Sequence, residues 1–362
     1  MHRDFLAAAT LLVAAAPATA GAQRGAPTIS PVAVPASLAT LEFTGSSLIW
    51  VDDSTLALLD NDAKQFVTAE IRHGTLRRHG REGSGPGEFR APVFLLARDG
   101  EVLVDDITTR RISRFDRKRR FIASVPTPGA TLQLLGWSGD RVRIAWTSFM
   151  PGGGPTISDI DLTGGAAFER FQVLARDPSL ASPMPGGAGN SAFLAVAPGP
   201  RGSIVVGSPR PYRITVFDSA GRPLHRFGRD LPPVFRTPAE IDAMVTRSGR
   251  MLAGAPVNAE QRGNLAARLR ETLGKEPKPH FPWMGGIVVD QTGGVWVLTT
   301  RGSNRTDFDV FSAAGDFRGT VTTPGRVVSF TIRGSHLAVL AERTEGDDEG
   351  FQGIDLYRIA RP

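Results

Sequence analysis

The chain has 362 residues, enough for one large domain or two ordinary ones, with 41% hydrophobic and 22% charged residues, the balance of a globular protein with a core. Cysteine is absent, which excludes a disulfide framework, a thiolate nucleophile and a cysteine-ligated metal. The formal charge of +6 is almost all arginine, because Lys64, Lys118, Lys275 and Lys278 are the only lysines. That charge is scattered along the chain. Its densest run, Arg117-Lys118-Arg119-Arg120, has no interleaved aromatic on which a base could stack, so nucleic acid is not an expected partner.

The first residues read as an export signal. His2 and Arg3 give a short basic start, Phe5 to Ala16 is a run of apolar or small residues, and Ala18-Thr19-Ala20 and Ala20-Gly21-Ala22 both fit a small-x-small cleavage site. The pattern predicts a signal peptide over residues 1–22 and a secreted or periplasmic protein. No cysteine follows to carry a lipid. No segment is long and apolar enough for a membrane span. Residues 23–36 read as a linker.

Gly at 41 and Pro at 27 suit many short elements joined by tight turns. From Pro92 four short apolar or alternating runs follow one another: Val93–Ala97, Glu101–Val104, Arg111–Asp116 and Phe121–Val125, each bounded by turn residues such as Arg98-Asp99-Gly100. This is a four-stranded meander. The phrase returns from Phe193 to Phe227 and from Gly286 to Val321, with looser copies over Leu48–His79 and Leu132–Ala175. The last copy has three strands only, Val328–Ile332, His336–Glu342 and Ile354–Ile359. Six sheets at a period near forty residues predict an all-β fold, a six-bladed β-propeller of four-stranded blades over residues 37–362. Ring closure requires the missing strand, and Ser37–Phe43 is the expected donor.

One gap breaks the period. Thr237-Pro238-Ala239-Glu240 has the form of a capped helix start, and Asn258 with Gln261 opens a second helix through Leu273, stopped by Gly274. Residues 231–282 are therefore a mainly helical insert between blades four and five, either a spacer on the rim or a lid over the funnel.

The linker Gly80-Arg81-Glu82-Gly83-Ser84-Gly85-Pro86-Gly87-Glu88-Phe89-Arg90-Ala91-Pro92, with Ala97–Gly100, Val104-Asp105 and Arg111–Asp116 after it, resembles the NHL repeat. Its glycines allow turns that other residues resist, Phe89 is expected to plug the space between sheets, and Pro92 starts a strand where no donor is needed. Blades one, three and six lack the Gly-x-Phe-x-x-Pro phrase. The resemblance implies a secreted six-bladed propeller of a family that mostly binds proteins, glycans or other ligands, with a few metal-dependent lyases and lactonases among its cousins.

Catalytic signatures are weak. The Gly80–Gly87 stretch lacks the Gly-Lys-Ser/Thr ending of a phosphate loop, no two histidines fall at zinc spacing, and no serine elbow occurs. The favoured reading is a monomeric, non-enzymatic binding module without a cofactor, recognising a protein, a glycan or an anionic ligand. The binding loops carry Arg81, Arg90, Arg110, Arg111, Arg210, Tyr212, Arg213, Arg301, Asn304 and Arg305, and loops on a rigid scaffold are where function gathers. The alternative is a calcium-dependent lactonase or lyase at the central channel. Its hard oxygen ligands would come from Asp60, Asp62, Asp105, Asp106, Asp307 and Asp347.

Overall fold

The computed structural model describes residues 25–147, 154–183, 190–191, 194–251, 258–302, 305–343 and 351–361. They form six four-stranded antiparallel sheets. The inner strands are Gly45–Trp50, Pro92–Arg98, Ala130–Ser138, Ala195–Pro198, Ile287–Val289 and Arg326–Arg333. Each lies beside the inner strand of the next blade, and the sixth lies beside the first. The ring is the expected six-bladed propeller.

Burial falls from the middle of each blade outward, and the sequence follows it. The second strand of blade four, Ile204–Pro209, is buried at every position, whereas its outer strand, Pro223–Gly228, is largely exposed. A strand covered on both faces needs a continuous apolar run, and an outer strand does not. Apolar layers fill the gaps between blades. Between blades one and two, Phe66 meets Phe115 edge-on at 4.9 Å, and Phe89 lies 5.9 Å from Phe115. Phe89 is fully buried there, as the linker pattern predicts. Truncating such a ring to alanine costs about 3–5 kcal/mol.

The linker that delivers Phe89 depends on two left-handed glycines, Gly80 (φ +80°) and Gly87 (φ +71°). A Cβ on Gly80 would also stand 2.5 Å from Phe89 Cε2. Arg111 ties the loop down. Its Nη1 donates to Ser84 O at 2.8 Å, and its Nη2 donates to Gly85 O at 2.7 Å and Glu88 O at 2.6 Å.

Closure differs from the expectation. The outer strand of blade six is Thr28–Val32, inside the residues read as linker, and it pairs antiparallel with Gln352–Ala360 from Thr28↔Ala360 to Val32↔Leu356. Ser37–Phe43 forms no strand. Ala36–Ala39 is a single helical turn, and Leu38, Leu41 and Phe43 are buried in the apolar layer between blades six and one. The reason lies in residue type. Leu38, Leu41 and Phe43 gain more from a core than an exposed edge could return. Thr28–Val32 carries β-branched residues and a proline, which an outer edge tolerates because no donor is needed there.

The insert contains helices Pro238–Met251 and Ala259–Lys275. Both predicted capping boxes form. Thr237 N donates to Glu240 Oε2 at 2.7 Å and Glu240 N to Thr237 Oγ1 at 3.3 Å, while Asn258 and Gln261 exchange bonds of 3.0 and 2.8 Å. The second helix runs through Gly274 to Lys275, because Gly274 keeps a helical backbone and the chain leaves the helix at Glu276.

Candidate functional site

In a meander of antiparallel strands, the second-to-third strand turns and the blade-to-blade connections fall at the same end. The insert therefore shares a face with the turns after Leu298 and Glu342. On that face, a cavity of about 370 Å³ lies between the first insert helix and blades five and six. The helix contributes Glu240, Ala243 and Met244, and its approach contributes Arg236. The return from the insert gives Lys278, Pro279 and Pro282. Blade five gives Leu298, Thr299, Thr300, Gly302, Arg305 and Thr306, and blade six gives Arg326 and Val327. Its size sits at the lower end of the roughly 300–1,000 Å³ that small-molecule sites occupy.

Short contacts at the base of the insert hold this wall in place. Lys278 pairs with Glu240 and its backbone N–H donates to Val234 O. Arg210 Nη1 donates to Glu276 Oε2 at 3.1 Å. His280 N donates to Pro209 O at 3.1 Å, and Thr300 N to His280 O at 3.0 Å. Arg326 Nη1 donates to both carboxylate oxygens of Glu342 at 2.8 Å, and Arg305 lies 3.6 Å from Asp307. Arg236 is the lining cation with no carboxylate partner among the described residues. It donates through Nη1 to the carbonyls of Leu273 (3.5 Å) and Glu276 (3.2 Å) at the end of the second helix. Burial, then the charge of Arg210, pulls its guanidinium below the ordinary arginine value. Thr299, 6% exposed, donates its N–H to Asp307 O at 2.9 Å while its hydroxyl has no partner among the described residues.

Beside the cavity, Asp309 anchors a buried charge network. Arg301 forms a two-bond fork on it at 2.8 and 2.6 Å, Arg229 Nη1 reaches both oxygens at 2.9 and 3.0 Å, and Thr320 Oγ1 donates at 3.0 Å. Tyr212 is buried next to this group, and its hydroxyl pKa is pushed well up by burial, then by the charge of Asp309. His280 stacks on Tyr212 at 5.8 Å, and its pKa is lowered by burial, then by Arg301 and Arg210.

Of the arginines expected to face a ligand, the structure brings only Arg305 to the cavity. Arg81 pairs with Glu88 at 2.7 Å, Arg213 with Asp230 at 2.8 Å, Arg210 with Glu276 and Arg301 with Asp309. Arg90 Nε donates to Ser84 Oγ at 3.1 Å, Arg110 Nη2 to Pro128 O at 2.9 Å, and Arg111 is spent on the linker. Tyr212 lies in the core, not on the surface, because its ring fills the space between blades four and five against Phe281 and Phe311. Asn304 lies outside the described residues. Arg236, Glu240, Lys278, Thr299 and Arg326 were not among the expected site residues. The capping pattern gave a signal for the helix that carries Glu240, but not for what it would face.

The candidate cation ligands do not converge. Among the described residues, no three acidic or histidine side chains stand close enough to share an ion. Asp60 caps its own turn, accepting from Asp62 N, Ala63 N and Gln65 Nε2 at 2.9–3.0 Å. Asp62 accepts from Thr44 N. Asp106 accepts from Ala91 N and Thr109 N, and Asp307 from Thr322 Oγ1. The bonds from Asp62 N, Ala63 N and Thr109 N are the local ones that make Asp a turn residue, and those from Thr44, Ala91 and Thr322 tie each carboxylate to a segment 15 to 18 residues away. Asp105 accepts from Thr131 Oγ1 at 3.0 Å, its other oxygen has no partner, and its pKa is raised to about 7 by burial, then by the charge of Asp106. Asp347 lies outside the described residues.

No protein-family model matches the chain, and no curated protein matches it in sequence. The likeness is to solved structures. A member of the DUF4221 family from Bacteroides vulgatus superimposes with a TM-score of 0.56 at 11% identity, over 94% of this chain and 98% of that one. A protein of Bacteroides fragilis assigned to the exported class gives 0.52 at 9% identity, over 93% and 95%. The match is one of fold. At such identities it says nothing of chemistry.

Proposed function

We propose that the protein is an exported, non-enzymatic binding module that takes a ligand on the face bearing the insert. The observation that carries this reading is the cavity under Pro238–Met251, which combines apolar walls, one arginine without a carboxylate partner and a buried hydroxyl without a partner. Convergence of a few polar groups on an apolar cavity is the usual form of a recognition site. Export is inferred from residues 1–22, which lie outside the described residues, and no helix among the described residues is long and apolar enough to cross a membrane. The Gly80–Pro92 linker supports placing the chain near the NHL-repeat propellers.

The test uses an uncharged, environment-sensitive dye. Nile red titrated into the protein should give a saturable, one-to-one rise in fluorescence. Ala243→Trp, which fills the cavity from its helical wall, should abolish the rise, and Ala239→Trp on the same helix outside the cavity should not. A rise that is absent, or that survives Ala243→Trp, removes the reading.

A further inference from the structure

We propose that this cavity takes a small, mainly apolar monocarboxylate, with Arg236 neutralising its charge and the Thr299 hydroxyl giving it a hydrogen bond. The proposal rests on the binding reading above and names the ligand class.

Charge matching among the described residues favours a ligand with one negative charge. Among the described residues, four cations line the cavity. Lys278 is held by Glu240, Arg326 by Glu342 and Arg305 lies against Asp307, so Arg236 alone is left without a matching carboxylate. Glu240 and Glu276 act on Arg236 only from longer range, and each is already engaged, with Lys278 and Arg210. A half-buried guanidinium in this state favours one carboxylate on its free edge. A second negative charge would enter a partly dry site with nothing to offset it.

The walls specify the rest of the molecule. Met244, Pro282, Leu298 and Val327 offer aliphatic surface, and no aromatic ring stands among the described lining residues. A sugar would find no ring to stack on and few free donors, because the polar groups present are mostly paired with one another. Thr299 lines the cavity beside Leu298 with its hydroxyl covered, and a ligand oxygen would pair that hydroxyl once the side chain turns toward the cavity. An unpaired buried hydroxyl discriminates strongly in favour of a ligand that completes it.

The experiment is calorimetric titration of the full chain with octanoate and, separately, with 1-octanol. Octanoate should bind one-to-one and at least tenfold more tightly than the alcohol. Arg236→Gln should weaken octanoate at least tenfold and leave the alcohol nearly unchanged, and Arg236→Lys should recover part of the loss. Because Arg236 also holds the end of the second insert helix, Thr299→Val is a second variant that leaves that contact intact. It should weaken octanoate about three- to tenfold. Equal affinity for acid and alcohol, or octanoate binding unchanged in both Arg236→Gln and Thr299→Val, overturns the proposal. If Nile red binds and Ala243→Trp blocks it while octanoate does not bind, this ligand class falls and the binding reading stands. If neither probe binds, both fall.

Discussion

The backbone N–H of Leu48 donates to Ser329 Oγ at 2.9 Å across 281 residues, joining the inner strands of the first and last blades. The next seam repeats the device, with Leu95 N donating to Ser47 Oγ at 3.2 Å. In both, a serine hydroxyl crosses from one inner strand to the next where the sheets share no backbone ladder. Ser47 and Ser329 stand at irregularities in their inner strands, where the register to the second strand shifts. Ser329→Ala leaves the Leu48 donor buried and unmatched, which costs about 1–3 kcal/mol. The check is urea denaturation beside Ser203→Ala, whose exposed hydroxyl only faces its own turn. Equal midpoints for the two variants would show that the inter-blade bond contributes nothing.

The pairing of Thr28 with Ala360 predicts what the outermost strand is worth. A chain beginning at Pro35 keeps Ser37–Phe43 but exposes the edge of Gln352–Ala360, with its row of unpaired backbone groups. It should unfold at lower denaturant with a shallower transition and associate at micromolar concentration. A chain beginning at Ala26 should unfold as the full chain does. Identical transitions for the two truncations would mean that the closing strand does not hold the ring.

The strand rhythm carried most of this fold into view, because each second strand is buried on both faces and so must read as an apolar run. The first three strands of blade six lie within two residues of their expected bounds. Both insert helices were legible at their starts, since a capping box is a local pattern of four residues. The closing strand was not. Thr28–Val32 is short, contains Pro31 and is defined by its partner more than by itself. The site was less legible still. Its lining comes from the insert, blade five and blade six, which the ring brings together, and no spacing along the chain encodes that. The loop arginines misled for the same reason. Arg210 finds its carboxylate 66 residues away and Arg213 finds its own 17 residues away, so arginines that read as free in sequence are paired in space.

Asp105 predicts an unusual pH dependence. Its pKa is raised to about 7 by burial, then by the charge of Asp106, with the bond from Thr131 opposing. Below the unfolded value near 3.8 the group adds no difference between the two states. Between about pH 4 and 7 the folded protein holds a proton that the unfolded chain has lost, so stability falls as pH rises through that window and then levels. Asp105→Asn keeps the oxygen that accepts from Thr131 and removes the titration. Its stability relative to the parent should improve from pH 4 to pH 7 by an amount on the order of 1–3 kcal/mol and stay constant above. A difference that is flat over the whole range would place the Asp105 pKa near its ordinary value.

The fork of Arg301 on Asp309 predicts the opposite slope. Burial would raise the Asp309 pKa, but the bonds and charges of Arg301 and then Arg229 outweigh it and hold the carboxyl below its ordinary value. A depressed acid stabilises the fold above the unfolded value, and that contribution is lost as pH falls through the folded one. Asp309→Asn leaves two guanidiniums, each about a quarter exposed, facing a neutral amide. Breaking such a buried network costs about 3–5 kcal/mol, and the access of water to both arginines puts this case at the lower end. Replacing the fork as a unit, Asp309→Leu with Arg301→Met, should recover part of the loss, because no carboxylate then remains buried and only Arg229 is left unmatched. Arg229 still lies 4.2 Å from the Phe317 ring, a position that favours a cation. The comparison is urea unfolding of the three proteins at pH 7 and pH 4, with the parent's advantage over Asp309→Asn shrinking at the lower pH. A double variant no more stable than Asp309→Asn would mean that the cost lies in lost packing around Asp309, not in stranded charge.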